Sequence, residues 1–191
     1  MIQSRLLDPC SISFVAVAPN SETPDKPLGY AQFTRVGNDE VVQRMLANRD
    51  TFWLKLSRWW FSWQRAIAND LWPDRSIDSE ALDRYTKSNE KDNYKYWESP
   101  EMKKKYENRW IAQSVAVASA YQRKGIGRKL MAEVLIRAQE EQVVVGLDAN
   151  EEGEKLFQSL GFVLRGRFSM KIGPRAGGIM KWTPAKTPRQ V

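Results

Sequence analysis

The segment with the clearest chemical potential is Gln122-Arg123-Lys124-Gly125-Ile126-Gly127, which lies between an apolar run at 111–117 and a helical pattern that begins at Ile126. The sequence therefore predicts a strand, a short loop with glycines and a helix start, in that order. The first amides of a helix lack intrahelical partners and carry partial positive charge, and glycines let a ligand approach the backbone. Such a loop can bind a phosphate or pyrophosphate group.

The glycine spacing distinguishes this loop from two common phosphate-binding loops. The three glycines of a dinucleotide loop are not present, and no Gly-Lys-Ser/Thr ending of a nucleoside-triphosphatase loop follows. For the loop taken alone, a plain helix start with flexible glycines is the alternative.

A second block, at 143–164, has the same strand–helix–strand character. Residues 143–149 form a β-branched run that predicts a buried strand, and Asn150 is a suitable helix N-cap. A short helix is predicted from Gly153 to Leu160, with Gly161 as its C-cap, and Phe162 begins another strand.

Together the two blocks resemble the GNAT N-acetyltransferase superfamily. Gln-x-x-Gly-x-Gly after Val115-Ala116-Val117 is similar to its acetyl-CoA loop. Leu147-Asp148-Ala149, followed by the segment from Leu156 to Phe162, is similar to its Leu-Glu-x strand and its Leu-Tyr-Glu-x-Leu-Gly-Phe segment. The compact Asp-Ala-Asn-x-x-Gly spacing looks most like acetyltransferases of filamentous fungi.

This resemblance implies an acetyl-CoA-dependent N-acetyltransferase, in which a primary amine attacks the acetyl thioester directly. The acceptor, a small molecule or a peptide, is not indicated. The alternative is a GNAT-like protein that binds CoA but is catalytically weak or inactive.

The resemblance also implies where acetyl-CoA (CoA) binds. In the family, the strand before the loop splays from its neighbour at a bulge and its backbone pairs with pantetheine, while the loop holds the pyrophosphate. For the strand residues a simple buried strand is the alternative, and for Asn150 it is helix capping. The implied cofactor-binding residues are Val115, Ala116, Val117, Gln122, Arg123, Lys124, Gly125, Ile126, Gly127, Arg128, Lys129 and Asn150.

For catalysis, the resemblance points to Asp148 as the candidate general base, because it stands at the family's acidic strand position. Desolvation at the end of a buried strand would raise its pKa. The alternative is that Asp148 only caps the next helix, with Glu101 and Glu107 as substitute bases. The backbone at Val117 is the expected oxyanion-facing region.

Phe157 occupies the position of the family's usual general acid, a tyrosine, and has no proton to donate. Either the thiolate leaves unaided, or another tyrosine donates. Tyr121 is the weak candidate that we select, with Tyr30 and Tyr106 as the others.

The expected fold class is α/β (α+β), with a GNAT-like central mixed, mostly antiparallel sheet flanked by helices. Strand patterns at 13–18 and 28–35 predict an antiparallel hairpin. We expect one domain over 1–183 and a disordered tail at 184–191. The family's first strand and two helices have no counterpart before the hairpin. A helical insertion at about 39–108, between the family's third and fourth strands, is expected to replace the acceptor wall; a truncated, incomplete fold is the alternative.

The insertion is patterned as helices. Apolar residues recur at helical spacing from Val42 to Ile67, and Asp50 and Thr51 are suited to cap a second helix. Residues 72–74 are expected to end this second helix, and further helices are expected at 79–85 and 99–109. The Trp-rich helix, with Lys55, Arg58 and Arg65, could lie on a membrane. Packing on the sheet is the preferred interpretation, so no membrane partner is expected.

Composition excludes several classes of function. The chain has no histidine and one cysteine, which removes Ser/His and Cys/His nucleophilic sites, zinc clusters and internal disulfides, so no metal is expected. The net charge of +7 invites a nucleic-acid interpretation, but the charge is spread along the chain, so nucleic acid is not the expected partner. We expect a cytoplasmic protein, with the nucleus left open, as a monomer or homodimer.

Overall fold

A mixed six-stranded sheet forms the centre of the molecule. The computed structural model describes residues 6–18, 26–71, 78–170 and 177–186, and within them the strand order is β1-β2-β3-β4-β6-β5. Only β3 and β4 are parallel neighbours, so the sheet is mostly antiparallel, as predicted. The strands are β1 Ser11–Val17, β2 Pro27–Val36, β3 Arg109–Val117, β4 Val144–Ala149, β5 Val163–Arg167 and β6 Gly178–Trp182.

Helices occupy the longer connections between the described strands. The bounds are α1 Glu40–Arg49, α2 Phe52–Leu71, α3 Ser79–Asn93, α4 Pro100–Tyr106, α5 Ile126–Glu140 and α6 Glu151–Gln158, with a π-helical turn at Tyr94–Glu98 and a 3₁₀ turn at Ser119–Tyr121. The predicted insertion therefore consists of α1 to α4 and the π-helical turn. The predicted turns at 19–27 and 173–178 and the break at 72–74 lie wholly or partly outside the described residues.

The main core lies between one face of the sheet and α5. Leu130, Met131, Val134 and Ala138 follow the helical period and are all buried. They pack in one cluster with buried residues of β2, β3 and β4 and with Phe157 of α6. This packing fixes the start of α5 directly beside the end of β3.

The opposite face of β4 is covered by the second half of the insertion. Side chains alternate along a strand, so Gly146 points away from the core residues Val145 and Leu147. A Cβ on Gly146 would lie 2.6 Å from Cζ2 of Trp97. Trp97 and Tyr106 form a second buried cluster with Ile179. Glycine at 146 is therefore what allows the insertion to lie against the sheet.

A buried cation joins the two layers at the edge of the core. The Arg35 guanidinium is fully buried, donates from Nε to Glu141 Oε2 at 2.7 Å and forms a second ion pair with Asp39. Trp110 Nε1 donates to the same Glu141 oxygen at 3.2 Å. Asp39 is also the N-cap of α1, where it accepts from the Val42 amide. The network ties α1 and the end of α5 to the sheet.

The expected packing of α2 on the sheet is wrong. The helix begins after Thr51, as predicted, and Thr51 Oγ1 accepts from the Leu54 amide at 3.3 Å. Its aromatic residues, however, face solvent: Phe52 and Trp53 are 72% and 73% exposed. The periodic apolar pattern predicted a helix correctly, but periodicity shows only that one face is apolar and does not say what covers it.

The predicted tail, 184–191, is described only as far as residue 186. Within that part, the Ala185 amide donates to Gln139 Oε1 at 2.9 Å, and its carbonyl accepts from Gln139 Nε2 at 2.9 Å. Residues 187–191 lie outside the described residues.

Candidate functional site

The parallel strands β3 and β4 separate part-way along their length. Their pairing runs from Arg109 and Val144 to Ala112 and Leu147, after which β3 stays beside β2 and β4 stays beside β6. The β2–β3 register shifts by one residue at Gln113, which is the extra residue of a bulge. Beyond the bulge, the edge of β3 no longer pairs with β4 and its backbone faces a gap.

The loop that follows β3 turns the chain sharply into α5. Arg123 and Gly125 have φ values of 62° and 79°, and Gly125 is the residue before the first turn of the helix. No side chain caps the first amides of α5. Gln122 Nε2 donates to the Val117 carbonyl at 3.1 Å, which fastens the loop to the end of the strand. The helix start therefore presents unpaired N–H groups beside the gap.

A cavity of about 1070 Å³, here called the splay cavity, fills this gap. Its volume is at the top of the range of small-molecule sites, about 300–1000 Å³, and suits an extended ligand. Arg123, Arg128 and Lys155 give it cationic walls. The predicted residues that line it are Val115, Val117, Tyr121, Gln122, Arg123, Gly125, Ile126, Gly127, Arg128, Asp148 and Asn150.

Three of the predicted cofactor-binding residues do not line the splay cavity. Ala116 points to the other face of the sheet, because it alternates with Val115 and Val117. The Lys124 ammonium lies 5.0 Å from the centre of the Tyr121 ring. Lys129 is exposed in the first turn of α5, beyond the residues that line the cavity. Contact of these three residues with a bound ligand stays a prediction.

Asn150 has the capping role that was its alternative. It is the N-cap of α6, and its Oδ1 accepts from the Gly153 amide at 2.8 Å. Because Asn150 also lines the splay cavity, the two roles are compatible. The N-terminus of α6 thus lies at the same cavity as that of α5.

Asp148 lies where three cavities meet. Besides the splay cavity, it lines a cavity of about 560 Å³ and another of about 360 Å³, here called the wall cavities. Asp148 is exposed where these cavities open, yet the surrounding protein removes much of the hydration of its carboxylate. This burial, with the negative charge of Asp92 second, raises the pKa of Asp148 above its ordinary value of 3.8. A raised pKa is in the direction that a general base requires, and the predicted role of Asp148 stays a prediction.

Asp92 is a site residue that the sequence analysis missed. It is buried at the end of α3, where its carboxylate accepts hydrogen bonds from the amide and the hydroxyl of Ser169. It lines both wall cavities, as do Tyr85 and Asn89 of the same helix. No local motif marks this segment, since its residues are polar and its helix was expected to end at 85. The part of the insertion that lines the wall cavities is therefore α3 and not α2.

The candidate proton donors differ in position. Tyr121 lines the splay cavity, whereas Tyr30 and Tyr106 line none of the three cavities. Burial would raise the pKa of Tyr106, but a 2.9 Å hydrogen bond from Lys181 and the charges of Lys181, Lys105 and Arg165 lower it. Phe157 is buried against Phe162 and lines the splay cavity. The substitute bases Glu101 and Glu107 line none of these cavities.

Comparison with known proteins agrees with this geometry. Residues 94–164 match the acetyltransferase (GNAT) domain. The match begins in the π-helical turn and includes β3, the loop, α5, β4 and α6. It therefore covers the splayed strands and the helix start that form the splay cavity. No curated protein sequence matches the chain.

Solved acetyltransferase structures align with this chain at low sequence identity. Arylalkylamine N-acetyltransferase 2 from Aedes aegypti aligns over 90% of this chain and 72% of its own, with a TM-score of 0.55 and 15% identity. NAA60 from Arabidopsis thaliana, solved in complex with acetyl-CoA, aligns over 91% of this chain and 76% of its own, with a TM-score of 0.47 and 14% identity. The mosquito enzyme shows that the architecture is GNAT-like.

Proposed function

We propose that the protein is an acetyl-CoA-dependent N-acetyltransferase that transfers the acetyl group to a primary amine. The observation that carries the proposal is the combination of the splayed β3–β4 pair, the uncapped start of α5 and Asp148 at one cavity. The match to the GNAT domain over the same residues supports it.

The residues of the splay cavity fit the chemistry of acetyl-CoA. A pyrophosphate needs N–H donors and cations, which the start of α5, Arg123 and Arg128 provide. A pantetheine arm needs backbone partners, which the unpaired edge of β3 at Val115 and Val117 offers. The bound cosubstrate would supply the activated acetyl group, and the protein supplies its orientation.

The amine would approach from the wall cavities, on the other side of Asp148. An alkyl ammonium is protonated at neutral pH, so Asp148 accepts a proton before the nitrogen can attack, directly or through one water. Backbone N–H groups near Val117 stabilise negative charge on the acetyl oxygen. Tyr121, which lines the splay cavity, donates a proton to the departing sulfur in this proposal. The carboxylates of Asp92 and Asp148 favour a cationic acceptor.

The second candidate function is CoA binding without efficient transfer, and Phe157 is the observation that favours it. The residue lines the splay cavity but cannot donate a proton. Both functions require CoA in the splay cavity, so binding and transfer are tested separately.

Calorimetric titration with CoA tests the binding site. Gly125 has a φ of 79°, so its substitution would disturb the backbone as well as the ligand. Arg128→Glu is the more specific test, because the residue is exposed and a glutamate is favourable in the first turn of a helix, so the fold is preserved. We expect at least about tenfold weaker CoA binding, since a charge-assisted contact is replaced by repulsion. Lys87→Glu, at an exposed position of α3, is the matched control and should bind CoA as wild type does.

Unchanged CoA affinity in Arg128→Glu would contradict the site. An equal loss in Lys87→Glu would attribute the effect to net charge instead of to the splay cavity.

A further inference from the structure

Helix α2 carries more exposed large hydrophobic residues than any other described element. Nine of its large hydrophobic side chains are between 40% and 73% exposed. Contiguous exposed apolar surface of this kind is typical of an interaction site. These residues are Phe52, Trp53, Leu56, Trp59, Trp60, Phe61, Trp63, Ile67 and Leu71.

The orientation of α2 directs this surface away from the body of the protein. Leu54, Ser57 and Arg58 are its half-buried residues, and Arg58 pairs with Asp50 at 2.5 Å. At 3.6 residues per turn, these three lie on one side of the helix, whereas Leu56 and Trp63 lie on the opposite side. The helix therefore contacts the protein through the side that carries Leu54, Ser57 and Arg58 and presents its aromatic side outward.

The charges on α2 are almost entirely positive. No acidic residue occurs from Phe52 to residue 69. Lys55 flanks the aromatic side, whereas Arg58 and Arg65 lie on the opposite, polar side of the helix. Lys55 and Arg58 both pair with Asp50. The segment 49–68 holds four basic residues and one acidic residue, Asp50, and the whole chain carries +7. The segment is therefore net positive, which is complementary to an anionic partner.

We propose that α2 binds an anionic lipid surface, lying in the plane of the headgroups with its aromatic side in the acyl boundary. Tryptophan is enriched at such interfaces, and basic residues beside it contact lipid phosphates. Within the described part of the chain no helix is long and apolar enough to cross a bilayer. A second copy of the chain is the alternative occupant of the aromatic side, and the net positive charge of each copy disfavours it.

The expectation of no membrane partner rested on packing of this helix against the sheet. Since the structure turns the aromatic side to solvent, that reason no longer holds. The lipid proposal does not depend on CoA binding or on acetyl transfer.

Co-sedimentation of the full chain with phosphatidylcholine vesicles, with and without phosphatidylserine, tests the proposal. Wild type should bind the vesicles that contain phosphatidylserine, and raised salt should weaken binding. The double variant Trp60→Ser/Trp63→Ser should lower the partition coefficient at least about tenfold, because it removes two large buried groups from the contact. Arg65→Glu should weaken binding to the anionic vesicles more than to neutral ones.

Leu82→Ser/Tyr94→Ser is the matched control, because these residues are 50% and 59% exposed but lie outside α2. It should bind as wild type does, and circular dichroism should show equal folding of both double variants. Wild type that stays in the supernatant with both vesicles would overturn the proposal. Equal vesicle binding by wild type and the Trp60→Ser/Trp63→Ser variant would also overturn it. A concentration-dependent dimer of wild type that this variant abolishes, with no vesicle binding, would overturn it as well.

Discussion

At the scale of single residues, the account depends on the environment of Asp148. A carboxylate that must remove a proton from an amine works better when its pKa is raised towards neutral pH. Burial in the junction of the cavities and the charge of Asp92 both act in that direction. The same features destabilise the charged carboxylate in the folded protein, so catalysis and stability are opposed at this residue.

Asp148→Asn should lower turnover at least about tenfold while CoA affinity is kept, because only proton removal is lost. The folded-state pKa of Asp148 is raised, so the native protein binds this proton more tightly than the unfolded chain does. Wild-type stability contributed by this group is present at low pH and falls as pH rises above 3.8. The variant should therefore melt at the same or a higher temperature at neutral pH, with the difference shrinking near pH 4. Full turnover of Asp148→Asn across the pH range would refute the role of Asp148 as general base.

Asp92→Asn should shift the acidic limb of the kcat/KM profile to lower pH. Removing the neighbouring negative charge lowers the pKa of Asp148, so the reactive carboxylate persists at more acidic pH. Asp83→Asn is the matched control, because this residue is on the same helix, exposed and paired with Lys87. Profiles that coincide for wild type and Asp92→Asn would show that Asp92 does not influence the base.

At the scale of elements, the sequence was informative wherever local chemistry and packing require the same residues. The loop after β3 needs positive φ and an open helix start, so Gly125 and Gln122 identified it. The insertion was different. Its helical period predicted α1 to α4, but α2 is exposed and Asp92 of α3 reaches the site through contacts with Ser169, far away in the chain. Such long-range contacts leave no periodic pattern in a single sequence.

Arg35→Ala should destabilise the junction of α1, α5 and the sheet by about 3–5 kcal/mol, because it leaves buried partners without their cation. Its guanidinium is fully buried between Glu141 and Asp39. Arg44→Ala is the control, since that arginine forms an exposed pair with Glu40 and should cost under about 0.5 kcal/mol. Urea unfolding measures both. A loss of similar size in the two variants would contradict the structural role of Arg35.

At the scale of the whole molecule, the predicted fold class is confirmed: a GNAT-like mixed sheet with helices on its faces. The hairpin and the order loop, helix, strand, helix followed from the sequence, because each has its own turn, cap or period. The separation of β3 from β4 was predicted only through the family resemblance. The distance between the two strands depends on how α5 and the insertion pack together, which the sequence of the strands does not show. The acceptor stays undefined for the same reason, as its walls come from α3, β4 and β6.

The most direct test of the central claim is acetyl transfer itself, measured with acetyl-CoA and a panel of primary amines from small amines to peptides. Thiol release and mass-spectrometric detection of the acetylated amine are followed together, with Asp148→Asn as the comparison. The account predicts amine-dependent thiol release that matches product formation and falls at least about tenfold in the variant. Tight CoA binding with no thiol release from any amine would contradict it and leave a CoA-binding protein.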